Sequence, residues 1–474
     1  MRSVLPGRGS PIAGAAVRGR ESSSSLPGIE AGRPARKVVF VAPSAYTLSG
    51  LATWLDYLVP GLQGAGWEAV LALTSGRTHD VGAYQSAHPA RRCRIVANQT
   101  GTRAGRVRSL IRLVEEERPS IVACVNIVDV YEGIVRMRRR RADAPKLVMT
   151  VHGILSWLVE DCGLWRDALD GVVCTNRLAA ALAVKEAGIE GRRVHYAPYG
   201  VELVARQEHR RRRDGIRLRI AWVGRLEDGQ KRVLDIPKIL GALDARGVEF
   251  DLVIAGAGKD ETRLRTALSS WIARDVVHLV GTLDRTRLEA EVYDWADALL
   301  VTSSWETGPI VIWEAMTHGL AVVSSRYVGS GVEGSLKDGE TCLLFAEGDA
   351  EAAADRLASL REHGFREQLV RQGRRLVSAR YSRGGSIRAW SEAFERVLEA
   401  PPLERMPMVS DRERAGRLDR LVGSDGAEIL RRLLHRRFVH VEPGAEWPHT
   451  YRGADRERES RFLDRVAALD RGVV

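Results

Sequence analysis

Glu306 and Glu314 stand with seven residues between them in the stretch Thr302–Gly319, TSSWETGPIVIWEAMTHG. An ionised carboxylate only accepts hydrogen bonds, which suits the hydroxyls of a sugar or a ribose. Between the two acids, Gly308-Pro309 marks a turn. Ile310–Met316 reads as the opening turns of a helix, whose first N–H groups lack partners inside the helix and suit a phosphate. Acids, turn and helix start together point to a polyhydroxylated, phosphate-bearing ligand. The plainer alternative is a pair of acids favoured near a helix start and completed by surface ion pairs. Glu314, close to Trp313 and Met316 in an apolar helix, fits that alternative less well.

Other residues offer complementary chemistry. Arg225 and Lys231 lie six apart across the polar loop GRLEDGQKR. A guanidinium and an ammonium converging there would neutralise a diphosphate leaving group; a solvated basic loop is the alternative. His152 follows the apolar run Lys146–Val151, at the carboxyl end of a strand, where open α/β sheets bind ligands. It reads equally as a structural strand-end histidine. Gly50 follows Ser49 in the loop after the first strand and has a turn role or a phosphate contact. No His/Cys/Asp/Glu cluster has metal-ligand spacing, so no metal site is expected. Neither a G-x-S-x-G elbow nor a Walker-type loop occurs, which disfavours hydrolase and P-loop chemistry.

The elements that must hold these residues alternate between strand and helix. KVVFVAP from Lys37, then Trp67–Leu73, Ile121–Asn126, Lys146–Val151 and Val172–Thr175 are short apolar runs of buried parallel strands. Helical patterns at Ala52–Ala65, Val107–Glu117 and Arg177–Ala187 separate them, so 37–201 reads as one Rossmann-like domain. A polar stretch, 202–216, is the expected linker. The pattern restarts at Arg217 with RIAWVGR and runs to 385 as a second such domain, with a closing helix at 386–400. Glu227–Lys231 reads as a loop and Val233–Ala245 as a helix. Residues 1–36, rich in Gly, Ser, Pro and Arg, are expected to be disordered, and they leave open whether the native chain begins further in. The tail 401–474 carries fifteen Arg against thirteen Asp and Glu and reads as an Arg-rich, partly helical appendage.

Composition narrows the classes. The chain has 474 residues, enough for two domains, with 45% hydrophobic content and a formal charge of +11. No apolar run reaches the eighteen residues of a spanning helix. Five scattered cysteines without a C-x-x-C pair fit a reducing cytoplasm better than a disulfide framework. The runs RMRRRR at Arg136–Arg141 and HRRRR at His209–Arg213 are either solvated basic faces or a surface for anionic headgroups. No zinc-finger, RNP or basic-zipper pattern is present, so nucleic acid is not an expected partner.

In their order along the chain, these pieces resemble the GT-B fold retaining glycosyltransferases of family 4, also called glycosyl transferases group 1. The signature S-x-x-E-G-x-G/P-x-x-x-x-E-A-M-A-x-G appears as Ser303-SW-Glu306-TGPIVIW-Glu314-AMTHG, with Thr307 where glycine is common. GRLEDGQKR resembles G-R-[LF]-…-K-[GR], and PYGVE resembles P-N-G-V-D with Tyr199 for asparagine. GSGVEGSLKDGETCLLF resembles the G-G-x-x-E…D-G block at Glu333, Asp338 and Gly339, with Cys342 for a glycine. Ser49-Gly50 stands where many members have Gly-Gly. The resemblance implies an α/β fold of two Rossmann-like doubly wound domains facing across a cleft. It implies that Glu314 meets the ribose and Glu306 the donor sugar, with His152 beside that sugar. Arg225 and Lys231 would bind the diphosphate. The Gly308-Pro309-Ile310-Val311 backbone would face sugar and phosphates, and Gly50 would reach the phosphates from the other domain. The implied reaction is metal-independent and retaining, without a cofactor. A UDP- or GDP-sugar would be the donor and a saccharide or lipid-linked molecule the acceptor, in cell-surface polysaccharide or glycoconjugate biosynthesis. The expected location is the cytoplasm, with peripheral contact at the inner face of an anionic membrane. A GT-B-like epimerase or phosphorylase, and a non-catalytic nucleotide-sugar-binding subunit, are the competing readings.

Overall fold

Strand runs that are apolar on both faces require cover on both sides, which only crossover helices between parallel strands supply. The computed structural model describes residues 36–43, 50–74, 81–89, 91–125, 127–141, 143–205, 217–403, 417–436 and 456–472. The first sheet comprises β1 (Lys37–Pro43), β2 (Glu68–Thr74), β3 (Cys93–Val96), β4 (Ile121–Cys124), β5 (Lys146–Val151), β6 (Gly171–Cys174) and β7 (Val194–Tyr196). All pairings are parallel, in the order β3-β2-β1-β4-β5-β6-β7. The second sheet comprises β8 (Leu218–Val223), β9 (Phe250–Ala255), β10 (Val277–Gly281), β11 (Ala298–Val301), β12 (Ala321–Ser325) and β13 (Leu343–Phe345). Its order, β10-β9-β8-β11-β12-β13, repeats the same winding, again all parallel. Each sheet reverses its strand order once, between β1 and β4 and between β8 and β11. Such a reversal opens a crevice at the carboxyl ends of the strands.

Several local readings are corrected. Glu227–Lys231 is not simply a loop: Asp228–Lys231 forms a helical turn, its Asp228 N–H donating to the Asp260 carboxylate at 2.9 Å. The helix read from Val233 begins as a 3-10 turn, Val233–Asp235, and becomes α-helical at Ile236–Ala245. The closing helix starts earlier, at Arg383, and runs to Glu399. The Arg136–Arg141 run is largely the last turn of an unread helix, Val128–Arg140. Part of that run is consumed inside the protein: Arg136 pairs with Glu132 and Arg138 with Asp170. The readings of 1–36 and of the linker 202–216 fall almost wholly outside the described residues.

The helix Arg383–Glu399 returns to the first sheet. Trp67 Nε1 donates to Ser391 Oγ at 2.9 Å, and the Tyr57 and Ser386 hydroxyls lie 3.0 Å apart. The two crossings between halves pair with each other: Val201 N–H donates to the Tyr381 carbonyl (2.8 Å) and Arg383 N–H to the Val201 carbonyl (2.9 Å). Trp390 anchors the return, fully buried against Trp54 (ring centroids 4.8 Å) and Phe394 (5.8 Å). No helix among the described residues is long and apolar enough to cross a membrane. Truncating the Trp390 side chain leaves a cavity where the returning helix meets the first sheet. Trp390→Ala is expected to cost about 3–5 kcal/mol, read as a lower urea midpoint at unchanged slope.

Candidate active site

β11 delivers Thr302–Ser304 to the crevice of the second sheet. Trp305 leaves the sheet there in a bridge with Val328. Glu306 is then fixed from both ends: its N–H donates to the Val328 carbonyl (3.0 Å), and its Oε1 accepts from Ser303 Oγ (2.6 Å) and from Lys231 Nζ. Lys231 is held in turn, because its carbonyl accepts from Thr302 Oγ1 at 2.6 Å. Gln230 links the same turn to the motif, donating from Nε2 to the Trp305 carbonyl at 3.1 Å. It also accepts from Arg225 Nη2 at 2.9 Å. Arg225 itself is 68% exposed, so it reaches solvent where Lys231 is tucked away. Behind it, Gly256 has φ 142°, and a Cβ there would run into the Gly224 carbonyl, so only glycine lets the two loops touch.

Past Glu306, Gly308 takes φ 112° and Pro309 precedes the helix Ile310–Thr317, whose start no side chain caps. Its free first-turn N–H groups are the kind that donate hydrogen bonds to an anion. Glu314 lies about one turn on from Ile310 and is buried. Its Oε2 accepts from Tyr293 OH (2.9 Å) and its Oε1 from Arg285 Nη1 (3.2 Å). Burial pushes its carboxyl above the usual range, with Arg285 opposing. The two acids therefore have different surroundings, Glu306 on a lysine and Glu314 on a tyrosine and an arginine.

The first sheet meets this loop directly. Thr307 Oγ1 donates to the His152 carbonyl (2.8 Å), and Thr175 Oγ1 donates to the Thr307 carbonyl (3.3 Å). The His152 ring packs on Trp54 (4.3 Å between centroids), and its Nδ1 lies 2.8 Å from Tyr199 OH. Its Nε2 is buried without a hydrogen-bond partner. Burial lowers its pKa from 6.5 to about 3, so the ring is neutral at physiological pH. Gly50 opens the helix Gly50–Gly64, which carries Trp54 one turn later; Ser49 lies outside the described residues.

Sequence reasoning gave no role to Thr307, Tyr199, Gln230, Tyr293 or Arg285, and it read the tail as a partly helical appendage without placing the helix Arg456–Asp470. Phe462 and Val466 of that helix bury against Ile154, Leu178 and Leu182 of the first half. The Asp470 carboxylate accepts from three backbone N–H groups of the second half: Gly329 (2.8 Å), Gly331 (3.1 Å) and Val332 (2.8 Å). That loop borders the site, since Val328 holds the Glu306 backbone. A separate groove of about 780 Å³ beside this helix holds none of the site residues, and its charges are mutually paired, as in Arg458–Glu160 and Arg465–Glu186. Among the described residues no group of three or more His, Cys, Asp or Glu could hold a metal ion.

Residues 48–205 match the family model of Glycosyltransferase Family 4, and residues 206–376 match that of Glycosyl transferases group 1. The chain belongs to the group 1 glycosyl transferases. It is 29% identical over 204 residues to the putative colanic acid biosynthesis glycosyltransferase WcaL of Salmonella typhimurium, covering 41% of this chain and 49% of that protein. It is 30% identical over 188 residues to the amylovoran biosynthesis glycosyltransferase AmsK of Erwinia amylovora, covering 38% and 45%. The chain thus spans about half the length of the curated relatives it matches. The crystal structure of Anabaena Alr3699/HepE in complex with UDP and glucose superposes with a TM-score of 0.61 at 14% identity, covering 76% of this chain and 99% of that one. This likeness shows the GT-B fold.

Two outcomes follow from these contacts. Asp470→Ala leaves three N–H groups unmet, that of Gly329 buried, and Asp470→Asn turns an amide donor toward at least one of them. Both are expected to cost about 1–3 kcal/mol locally, read as faster hydrogen exchange at Gly329 and Val332. For His152, a folded pKa below the unfolded one means the unfolded state binds more protons. The ring's contribution is complete above pH 6.5 and is lost as pH falls toward 3. His152→Asn should flatten the unfolding free energy across that window, by on the order of a few kcal/mol.

Proposed function

We infer that the protein transfers a sugar from a nucleotide-diphosphate sugar, UDP- or GDP-linked, to a saccharide or lipid-linked acceptor in cell-surface polysaccharide biosynthesis. The observation that carries this reading is the Ser303–Glu306–Lys231 cluster beside the uncapped helix start, joined to His152 through Thr307. Acceptor groups for hydroxyls and donor groups for phosphates sit on one loop. The ammonium of Lys231 has three N–H donors, so it can serve Glu306 and a phosphate oxygen together. Arg225, open to solvent, would join it on the diphosphate. First-turn amides from Ile310 would add partial positive charge where the leaving group gains negative charge, which is the work a divalent cation would otherwise do.

In this reading Glu306 holds donor-sugar hydroxyls and Glu314 the ribose, while His152 offers Nε2 to a sugar hydroxyl. A neutral His152 orients and does not serve as a base. The transfer proceeds with retention. The bond from the anomeric carbon to the phosphate oxygen breaks, the acceptor oxygen bonds on the same face, and its proton passes to the departing phosphate. The gene products named for colanic acid and amylovoran biosynthesis support the polysaccharide context. Gly50, at a helix start of the first half, would face the same phosphates.

The test is a calorimetric screen of UDP-, GDP- and ADP-sugars, followed by detection of free nucleoside diphosphate with and without acceptor. Release without any acceptor, or no donor binding at all, would overturn the reading. Arg225→Ala should leave stability unchanged, because the side chain is exposed, and weaken donor binding by about tenfold. Glu306→Gln is expected to lower kcat/KM by roughly a hundredfold. Unchanged turnover in both would remove them from the site. Glu314→Gln separates binding from stability. An acid whose folded pKa is raised stabilises the fold while protonated and loses that contribution as pH rises through and above the ordinary carboxylate range. The glutamine variant should therefore match or exceed the wild type in stability near neutral pH, lose that advantage in acid, and bind donor more weakly.

A further inference from the structure

Tyr199 touches both halves of the candidate site. Its backbone is held on either side: the Pro198 carbonyl accepts from Ser386 Oγ (2.6 Å), and the Gly200 N–H donates to Tyr57 OH (2.8 Å). The side chain is buried. Its hydroxyl lies 2.8 Å from His152 Nδ1, and the two rings stack at 5.7 Å between centroids and 27° between planes. Trp54 packs on the same imidazole at 4.3 Å, so the ring is fixed by two aromatic neighbours. The Tyr199 ring also lies against Gly308, where a Cβ would come within 3.1 Å of Tyr199 Cδ2. Gly308, at φ 112°, begins the turn into the helix Ile310–Thr317. One side chain therefore touches the histidine of the first half and the loop of the second half that carries Glu306.

A neutral imidazole has one donor and one acceptor nitrogen, and the bond made by one fixes the role of the other. Acidity gives the direction of the Tyr199–His152 bond. A phenol is a stronger donor than a neutral imidazole N–H, and an imidazole nitrogen is a stronger acceptor than a phenol oxygen, so the hydroxyl donates. Burial pushes the Tyr199 pKa up, and the phenol keeps its proton. The nearby Thr175 hydroxyl faces the carbonyls of Val151 and Thr307, both at 3.3 Å, and its oxygen is a far weaker acceptor than an imidazole nitrogen. Nδ1 is thus the acceptor, and the ring proton sits on Nε2, the nitrogen that is buried without a hydrogen-bond partner. A buried N–H favours a ligand that brings an acceptor oxygen and disfavours one that brings an ammonium or another N–H.

We propose that Tyr199 is a positioning residue: its hydroxyl holds His152 in the tautomer with the proton on Nε2, making the histidine a hydrogen-bond donor to an acceptor oxygen of the donor sugar, while its ring supports the Gly308 turn. That the acceptor is a sugar oxygen rests on the transfer reading; the tautomer does not. The test starts with nitrogen NMR of the full-length protein labelled with 15N-histidine, the His152 ring being assigned by its loss in His152→Asn. The wild-type ring should carry its proton on Nε2 with Nδ1 bare. Tyr199→Phe keeps the aromatic ring and removes only the hydroxyl, and it should shift His152 to a mixture of tautomers or to Nδ1–H. A wild-type ring protonated on Nδ1, or the same ring signals in both proteins, would overturn the proposal. Calorimetry with UDP-glucose, GDP-mannose, UDP and GDP then separates positioning from support. Tyr199→Phe should weaken whichever nucleotide sugar the wild type holds by about tenfold, and the matching free nucleotide by less than about twofold, because the nucleotide lacks the sugar that His152 meets. An equal loss for nucleotide and nucleotide sugar would mark a structural role and sink the assignment. If the wild type binds none of the four, the transfer reading fails, and the ring signals still decide whether Tyr199 sets the tautomer.

Discussion

A hydroxyl-to-carbonyl contact between Thr307 and His152 joins the carboxyl ends of the two sheets. The Thr307 side chain is what makes the contact. The Thr307 backbone also takes part, by accepting from Thr175. The loop that positions Glu306 is thereby referenced to the first half as well as to its own sheet. His152 is referenced likewise, through its carbonyl to Thr307 and through its ring to Trp54 and Tyr199. A site assembled from two domains requires such cross-references, because misplacement by even an ångström weakens hydrogen bonds to a ligand.

The electrostatics of the site divide along the same lines. Glu306 and Lys231 form an ion pair in a partly dry environment, which holds the two side chains together. Glu314 and His152 are buried at a cost to their charged forms. Groups held against their solution preference store free energy that a ligand can recover by supplying partners, a common reason that binding sites are less stable than they could be.

Much of this architecture was legible in the sequence because buried parallel strands leave unbroken apolar runs such as VVFVA and LVMTV. β3 was not, since CRIV is half-exposed at the sheet edge and too short to show a period. The helix Val128–Arg140 escaped although Asp129, Glu132 and Arg136 recur at helical spacing, because its acids are buried against Arg103 and Arg106 and its apolar residues surround them. The spacing of Glu306 and Glu314 was visible, but their different partners were not. Lys231 lies 75 positions from Glu306, and Tyr293 reaches Glu314 from a π-helical turn. Asp470 had no signal: its contacts with the Gly329 loop span 141 positions, and an acid in an Arg-rich tail looks like one more solvated charge. The runs of arginine misled in part for the opposite reason. Charge density is local in sequence, whereas Asp170, which absorbs the Arg138 charge, becomes a neighbour only on folding.

The paired crossings at Val201 and Tyr381–Arg383 have a mechanical consequence. Two segments passing side by side between rigid bodies, and hydrogen-bonded to each other at 2.8 and 2.9 Å, resist sliding and twisting far better than bending. Of the relative motions open to the halves, they oppose rotation about a line through Val201 and Ser382 least. Any opening to admit a donor would thus be a hinge, with the Asp470 strap acting as its latch.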